Sequence, residues 1–216
     1  MYKLIIWDWN GTLLDDAHVC VGTMNPLLQS RNLQLINEDR YAELFTFPVR
    51  EYYKLLGFDL INEDFAVPAM EFMQQYIASI GEAGLREGSK DVIQYFRHAG
   101  ISQLILSAME QKLLEQLVND HGLPSLIDGV YGITDHFGQG KTEAAMRLMA
   151  ERQIASKNTI LIGDTIHDME VAETLGCKCI IIPSGHQSLQ RLEKEVERRA
   201  GIRIIAHLSE LPEIIY

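Results

Sequence analysis

The sequence predicts an α/β protein built in three α/β/α layers around a parallel sheet, with a helical segment inserted after the first strand. Three observations predict it. Short runs rich in Ile, Leu and Val recur at residues 3–8, 103–107, 159–163, 178–182 and 203–206, each of the length expected for a strand buried on both faces. Helical patterns separate the later runs, and strands alternating with helices give a parallel sheet covered on both sides. Residues 16–85 break that alternation, because they carry helical periodicity and no convincing strand.

Taken in order, the first strand runs into Asp8-Trp9-Asn10-Gly11-Thr12. The insert then reads as helices over 17–31, where Pro26 is expected to introduce a kink, 38–45, 48–56 opening on Pro48, and 63–82 with Pro68 near its start. Asp15 and Asp16 read as caps of the first of these helices or as hinge residues. Gly81, Gly84 and Gly88 loosen the return to the sheet. Ser89 caps a helix reaching Ala99, with Val92, Ile93 and Phe96 on one face and Gly100 beyond its end. The next helix carries Leu113, Leu114, Leu117 and Val118 and stops at Gly122; another starts at Lys141 and buries Ala144, Ala145, Leu148 and Met149. The last of this set opens at Asp168, as N-cap or metal ligand, and closes at Gly176. The expected division is therefore a sheet domain of residues 1–15 and 86–216 and a helical domain of residues 16–85.

Composition narrows the partners. The 216 residues are 47% hydrophobic and 23% charged, ordinary for a protein with a sizeable core, and the net charge is −11. Nucleic acid and anionic membranes both demand a surplus of Lys and Arg, so neither is expected. No run reaches the roughly 18 apolar residues of a spanning helix. Asp8 cuts short the opening apolar run, which is also too short for a signal peptide. Cys20, Cys177 and Cys179 read as reduced thiols of a cytoplasmic protein, and Cys177 with Cys179 as core residues rather than half a zinc site.

In parallel α/β sheets ligands bind at the carboxyl ends of the strands. Those ends carry Asp8 to Thr12, then Ser107 with Ala108, then Gly163-Asp164-Thr165 with Asp168 following, and Lys141 sits on the connection between the last two. Three crowded carboxylates require a proton or a cation among them, and all-oxygen ligands beside a phosphate favour Mg²⁺. Asp8 can attack phosphorus as a carboxylate. Ser107, Thr12 and the amides of residues 9–12 can hold phosphoryl oxygens, Gly11 allows close approach, and Lys141 supplies charge where the transition state needs it. Arg50, in the insert, reads either as a contact to the leaving group or as a surface ion pair.

These residues resemble the motifs of the haloacid dehalogenase-like (HAD) superfamily of phosphohydrolases, and the resemblance covers nearly the whole chain. The first motif, usually Asp-x-Asp-Gly-Thr-Leu, stands here as Asp8-Trp9-Asn10-Gly11-Thr12-Leu13; the second falls on Ser107, the third on Lys141, the fourth on Gly163-Asp164-Thr165-Ile166-His167-Asp168. The insert looks like a C1-type cap, as in phosphoglycolate phosphatases. The resemblance implies a Rossmann-like core and a Mg²⁺-dependent phosphatase acting on a small phosphorylated metabolite. It further implies Asp8 as nucleophile and metal ligand, the Asn10 backbone carbonyl and Asp164 as further ligands, Asp168 at the metal or its waters, and Ser107 and Lys141 on the phosphate.

Asn10 departs from the pattern, since the family places an acid–base Asp there and an Asn side chain transfers no proton at neutral pH. A slow phosphatase using another base, an enzyme of different turnover chemistry and a phosphate-binding pseudo-enzyme all remain open. His18, His167 and His186 are the candidate substitute bases. A phosphomutase would be expected to keep the Asp. A receiver-type signalling domain shares the acidic cluster, hydroxyl residue and Lys, but not the long insert. Neither oligomeric state nor substrate identity is legible.

Overall fold

The computed structural model describes residues 2–133, 140–152, 155–183 and 185–215. Six parallel strands make one sheet: β1 (Leu4–Trp7), β2 (Ser102–Glu110), β3 (Gly129–Ile133), β4 (Thr159–Gly163), β5 (Lys178–Ile181) and β6 (Ile202–Ile204), in the order β3-β2-β1-β4-β5-β6. That order is the doubly wound one, with the sequence direction reversing between β1 and β4. It differs from the flavodoxin-like order of receiver domains and removes that reading.

Alternation along β1 shows why both faces are covered. Ile5 and Trp7 join one apolar cluster and Leu4 and Ile6 the other, as the two-residue period of a strand requires. Helix α5 (Ser89–His98) and helix α6 (Gln111–Asp120) cover the first face through Val92, Ile93, Phe96, Leu114, Leu117 and Val118. The second face takes α7 (Lys141–Arg152) and α8 (Ile166–Leu175), through Ala144, Ala145, Leu148, Met169 and Ala172. Beyond β5 follow α9 (Leu189–Val196) and α10 (Leu211–Ile215).

Three expectations are corrected. Strand β3 has the sequence Gly-Val-Tyr-Gly-Ile, too glycine-rich to read as a buried run, and it lies at the sheet edge. A Cβ on its Gly132 would sit 2.6 Å from the Met109 carbonyl oxygen, so the closeness of the neighbouring chain explains the glycine. Strand β2 does not end at Ser107 but continues to Glu110, with a register irregularity after Leu106. Helix α8 starts at Ile166, with Thr165 rather than Asp168 as N-cap.

The insert contains helices α1 (Ala17–Ser30), α2 (Glu38–Leu44), α3 (Val49–Leu55) and α4 (Ala66–Ser79), with Pro26 inside α1. Its two connections to the sheet lie side by side: Asp15 N–H donates to the Gly84 carbonyl at 2.9 Å and Arg86 N–H to the Leu13 carbonyl at 2.8 Å. The far end of α2 is tied to the chain after β5. Ser188 N–H donates to the Ala42 carbonyl (3.1 Å), Gln187 Nε2 to the Phe45 carbonyl (3.0 Å), and Arg191 Nη1 to both carbonyls, at 3.0 and 2.7 Å. A guanidinium on the last carbonyls of a helix satisfies orphan acceptors and meets the negative end of the dipole. The insert is thereby held over the carboxyl end of the sheet.

Candidate active site

Asp8 leaves β1 with its N–H bonded to the Ile162 carbonyl of β4 at 2.8 Å, which fixes where its side chain emerges. The turn that follows depends on Gly11, at φ +74°. A Cβ there would lie 2.3 Å from Asp164 Oδ2 and 2.6 Å from His186 Cδ2, so both backbone conformation and space demand glycine. Gly185 presses on the same carboxylate from the other side, where a Cβ would lie only 2.0 Å from Asp164 Oδ2.

The structure brings Asp8, Asp164 and Asp168 together, all buried, with one oxygen of each within 4.8 Å of the others. Lys141, opening α7 and itself buried, bonds Asp8 and reaches Asp168 Oδ1 at 2.5 Å. Thr12 Oγ1 stands between Asp8 Oδ2 (3.4 Å) and Asp164 Oδ1 (3.1 Å). The threonine side chain thus spaces two carboxylates rather than standing free to hold phosphate. Asp168 is the N3 member of a capping box: its Oδ2 accepts from Thr165 Oγ1 (2.6 Å), Thr165 N–H (3.0 Å) and Asp164 N–H (3.2 Å). Its first task is therefore to hold Lys141 and the Asp164 turn.

Electrostatics test whether this donor set fits a cation. Burial pushes the Asp8 carboxyl well above the ordinary range; Lys141 opposes this, and Asp168 and Asp164 add to it. Asp164 is also raised, by burial and by Asp168, against the pull of His186 and Lys141. Asp168 goes the other way: burial would raise it, but Lys141 and the bond from Thr165 outweigh that. One ammonium among three buried carboxylates leaves negative charge in excess, and all the donors are oxygens. Such a set fits a hard divalent ion.

A second cluster surrounds Asn10. Its Nδ2 donates to Asp16 Oδ2 and to Tyr76 Oη, both at 2.9 Å, while its Oδ1 accepts from Ser107 Oγ at 3.1 Å. Asp16 occupies the N-cap position of α1 but makes no side-chain cap bond. It instead accepts from Gly11 N–H at 2.9 Å and Tyr76 Oη at 2.6 Å, and pairs with His186 Nε2 at 3.3 Å. Burial would raise the Asp16 carboxyl, yet the imidazole and these donors bring it down to about 2. His186 follows the same logic in reverse: burial disfavours its charge, but Asp16 outweighs that and lifts the imidazole to about 9. Asn10 therefore faces an ionised carboxylate to which an Asp could not donate without a proton. The asparagine amide suits that contact.

Both clusters open into a cavity of about 170 Å³ beneath the insert. Asp8, Asn10, Ser107, Ala108 and Lys141 line one end, and aromatic residues of the insert, Tyr41, Tyr52, Phe72 and Tyr76 among them, line the other. Of the three candidate histidines, only His186 lines it. His18 is exposed on α1, and His167 packs on Phe47 (ring centroids 4.8 Å apart) beside Glu170. Arg50 is exposed and lies 5.9 Å over the Phe65 ring, so the structure does not bring it to the site. Sequence reasoning missed Asp16, Tyr41 and Tyr76 as site residues. The Asp15-Asp16 pair was the available signal for Asp16, while the tyrosines are brought in only by how the insert packs.

Relatives place this geometry. The family model for haloacid dehalogenase-like hydrolases matches residues 5–182. The chain belongs to that family. It is 22% identical to a phosphoglycolate phosphatase of Vibrio parahaemolyticus over 85% of each chain, and 23% identical to one of Synechococcus elongatus over 88% of each. A haloacid dehalogenase-like hydrolase of Streptococcus pneumoniae superposes with a TM-score of 0.81 at 16% identity, covering 100% of this chain and 99% of its own. Membership of this hydrolase family, with phosphatases as relatives, supports an enzyme that acts on phosphate monoesters. No described helix is long and apolar enough to cross a membrane.

Proposed function

We propose that the protein hydrolyses a small phosphate monoester by way of an aspartyl-phosphate on Asp8, with Mg²⁺ in the carboxylate cluster. The observation that carries this is Lys141, buried between Asp8 and Asp168 where the cavity meets the ends of β1 and β4. Asp8, Asp164 and the Asn10 carbonyl would hold the ion, with Asp168 beside them. When bound, it supplies positive charge that keeps Asp8 ionised and reduces the repulsion between two anions.

In the first step an Asp8 carboxylate oxygen forms a bond to phosphorus while the bond to the leaving oxygen breaks. Lys141 and Ser107, with Ala108 at the rim, position the phosphoryl oxygens. In the second step water attacks the same phosphorus, phosphate departs, and the Asp8 carboxylate returns. Both steps move a proton that Asn10 cannot carry, so turnover is slow relative to a site with an acid there. The Asp16–His186 pair, which lines the same cavity, would take over that task. The helical segment 16–85 is read as a cap domain that shuts water out of the site. Three free thiols fit a reducing cytoplasmic setting.

The test is hydrolysis of an aryl phosphate in the presence of Mg²⁺. Turnover that needs the metal and vanishes in Asp8→Asn supports the proposal. Ligand binding without turnover across a broad panel of phosphate esters supports instead a phosphate-binding pseudo-enzyme, the reading that Asn10 motivates.

A further inference from the structure

The far end of the cavity is set apart by the cations it lacks. Among its described lining residues the only Lys or Arg is Lys141, already shared between Asp8 and Asp168. The other basic group is His186, paired with Asp16 at 3.3 Å and bonded through Nδ1 to Tyr41 Oη at 2.7 Å. The insert's nearby arginines are engaged elsewhere. Arg31 pairs with Glu63 (2.6 Å) and Glu71 (2.9 Å), and Arg50 lies on the outside of Phe65. A second anionic group on the substrate would enter a chamber with no cation left for it and with the Asp16 carboxylate in its wall. Desolvating such a charge without a partner is strongly unfavourable.

What the chamber does offer is apolar. Phe45, Phe72 and Met73 present carbon surface, against which apolar ligand area removed from water is stabilising. The whole cavity, phosphoryl end included, is about 170 Å³, little more than the roughly 150 Å³ of a dry apolar cavity known to hold benzene, so its far end admits no more than about one ring. One polar feature stands out in the wall. Tyr52 Oη is buried and has no hydrogen-bond partner among the described residues, whereas Tyr41 and Tyr76 spend theirs on His186 and Asp16. Burial raises the Tyr52 phenol far above its usual range, so it is a neutral donor and acceptor suited to an uncharged polar atom.

We infer that the substrate is a phosphate monoester whose leaving group is uncharged and largely apolar, no larger than one ring or a short branched chain, with at most one neutral polar atom for Tyr52. The inference rests on the phosphatase reading for its phosphoryl end. It sets this chain apart from its phosphoglycolate phosphatase relatives, whose named substrate carries a carboxylate beside the phosphate.

Two paired measurements test it. Benzyl phosphate and phosphoglycolate both release primary alkoxides, so their kcat/KM ratio reports recognition more than bond strength. At least a tenfold preference for benzyl phosphate is expected, and Met73→Arg, placing a cation in the chamber, narrows it threefold or more. Equal or better use of phosphoglycolate overturns the inference. Calorimetry with the inert benzylphosphonate and phosphonoacetate covers the case of no turnover. Tenfold tighter binding of benzylphosphonate then upholds the substrate class while the hydrolytic reading fails. Equal binding, or tighter binding of phosphonoacetate, overturns the class whatever the turnover.

Discussion

The two ends of one cavity differ in almost every physical respect. At the strand ends Asp8, Asp164, Asp168 and Lys141 crowd charge into buried space, each held by backbone or by another charge. Under the insert the wall is aromatic, and its polar atoms are mostly spent on one another. The two ends divide the labour. The sheet end can stabilise charge on a phosphoryl group whatever is attached to it, and the insert end can judge the attachment without touching phosphorus.

If that division holds, Lys141→Ala should act on one end alone. It is expected to lower kcat/KM at least about a thousandfold, in the range of losing a preorganised charge contact. Benzylphosphonate should keep much of the preference for its ring, as calorimetry on the variant would read. A loss of ring preference would break the comparison. Chelation of divalent ions is expected to bring turnover to background and Mg²⁺ to restore it. Adding Mg²⁺ at about a hundred times its Kd should also raise stability by about 2.7 kcal/mol, visible in Tm with no substrate present.

Asn10→Asp joins the two ends, because residue 10 touches both Ser107 and Tyr76. It is expected to raise kcat about tenfold, towards the usual contribution of a general acid, while placing a second carboxyl 2.9 Å from where Asp16 now accepts a hydrogen bond. That contact should lower stability by about 1–2 kcal/mol in urea unfolding above pH 6, where both would ionise. A faster enzyme that is no less stable would show that Asp16 is not the reason for asparagine.

The smallest effect is a slope against pH. With His186 raised to about 9, its pairing stabilises the fold fully below the unfolded histidine value of 6.5 and is lost as pH rises through 9. Asp16, lowered to about 2, contributes above its unfolded value of 3.8 and loses that as pH falls through 2. Metal-free protein should therefore lose of order 3 kcal/mol between about pH 6.5 and 9. His186→Gln should flatten that slope; an unchanged slope would mean the pair contributes nothing.

The same contrast explains what could be read from the chain. The residues at the strand ends follow from local rules: an apolar run buried on both faces, then a carboxylate, then a glycine whose φ and closeness to Asp164 admit nothing larger. Asp8, Ser107 and Asp164 were legible from their places at strand ends, Lys141 and Asp168 from the motif spacing around them, and the structure brings the three carboxylates and Lys141 together. Strand β3 was not, since an edge strand with two glycines lacks the buried pattern. Asp16 looked like a cap because that is where its sequence position puts it, and only the approach of His186 and Tyr76 from distant elements redirects it. The aromatic chamber is likewise assembled from separate helices of the insert, and no spacing along the chain announces it. Arg50 failed in the opposite sense, being a charge in the right segment that packing turns outward.

Acid quenching during turnover, followed by peptide mass spectrometry, reads the covalent intermediate itself. A phosphoryl group is expected on the peptide bearing Asp8 in the wild type and in Asn10→Asp, and none in Asp8→Asn. Full turnover in Asp8→Asn, with no adduct on that peptide in the wild type, would contradict it.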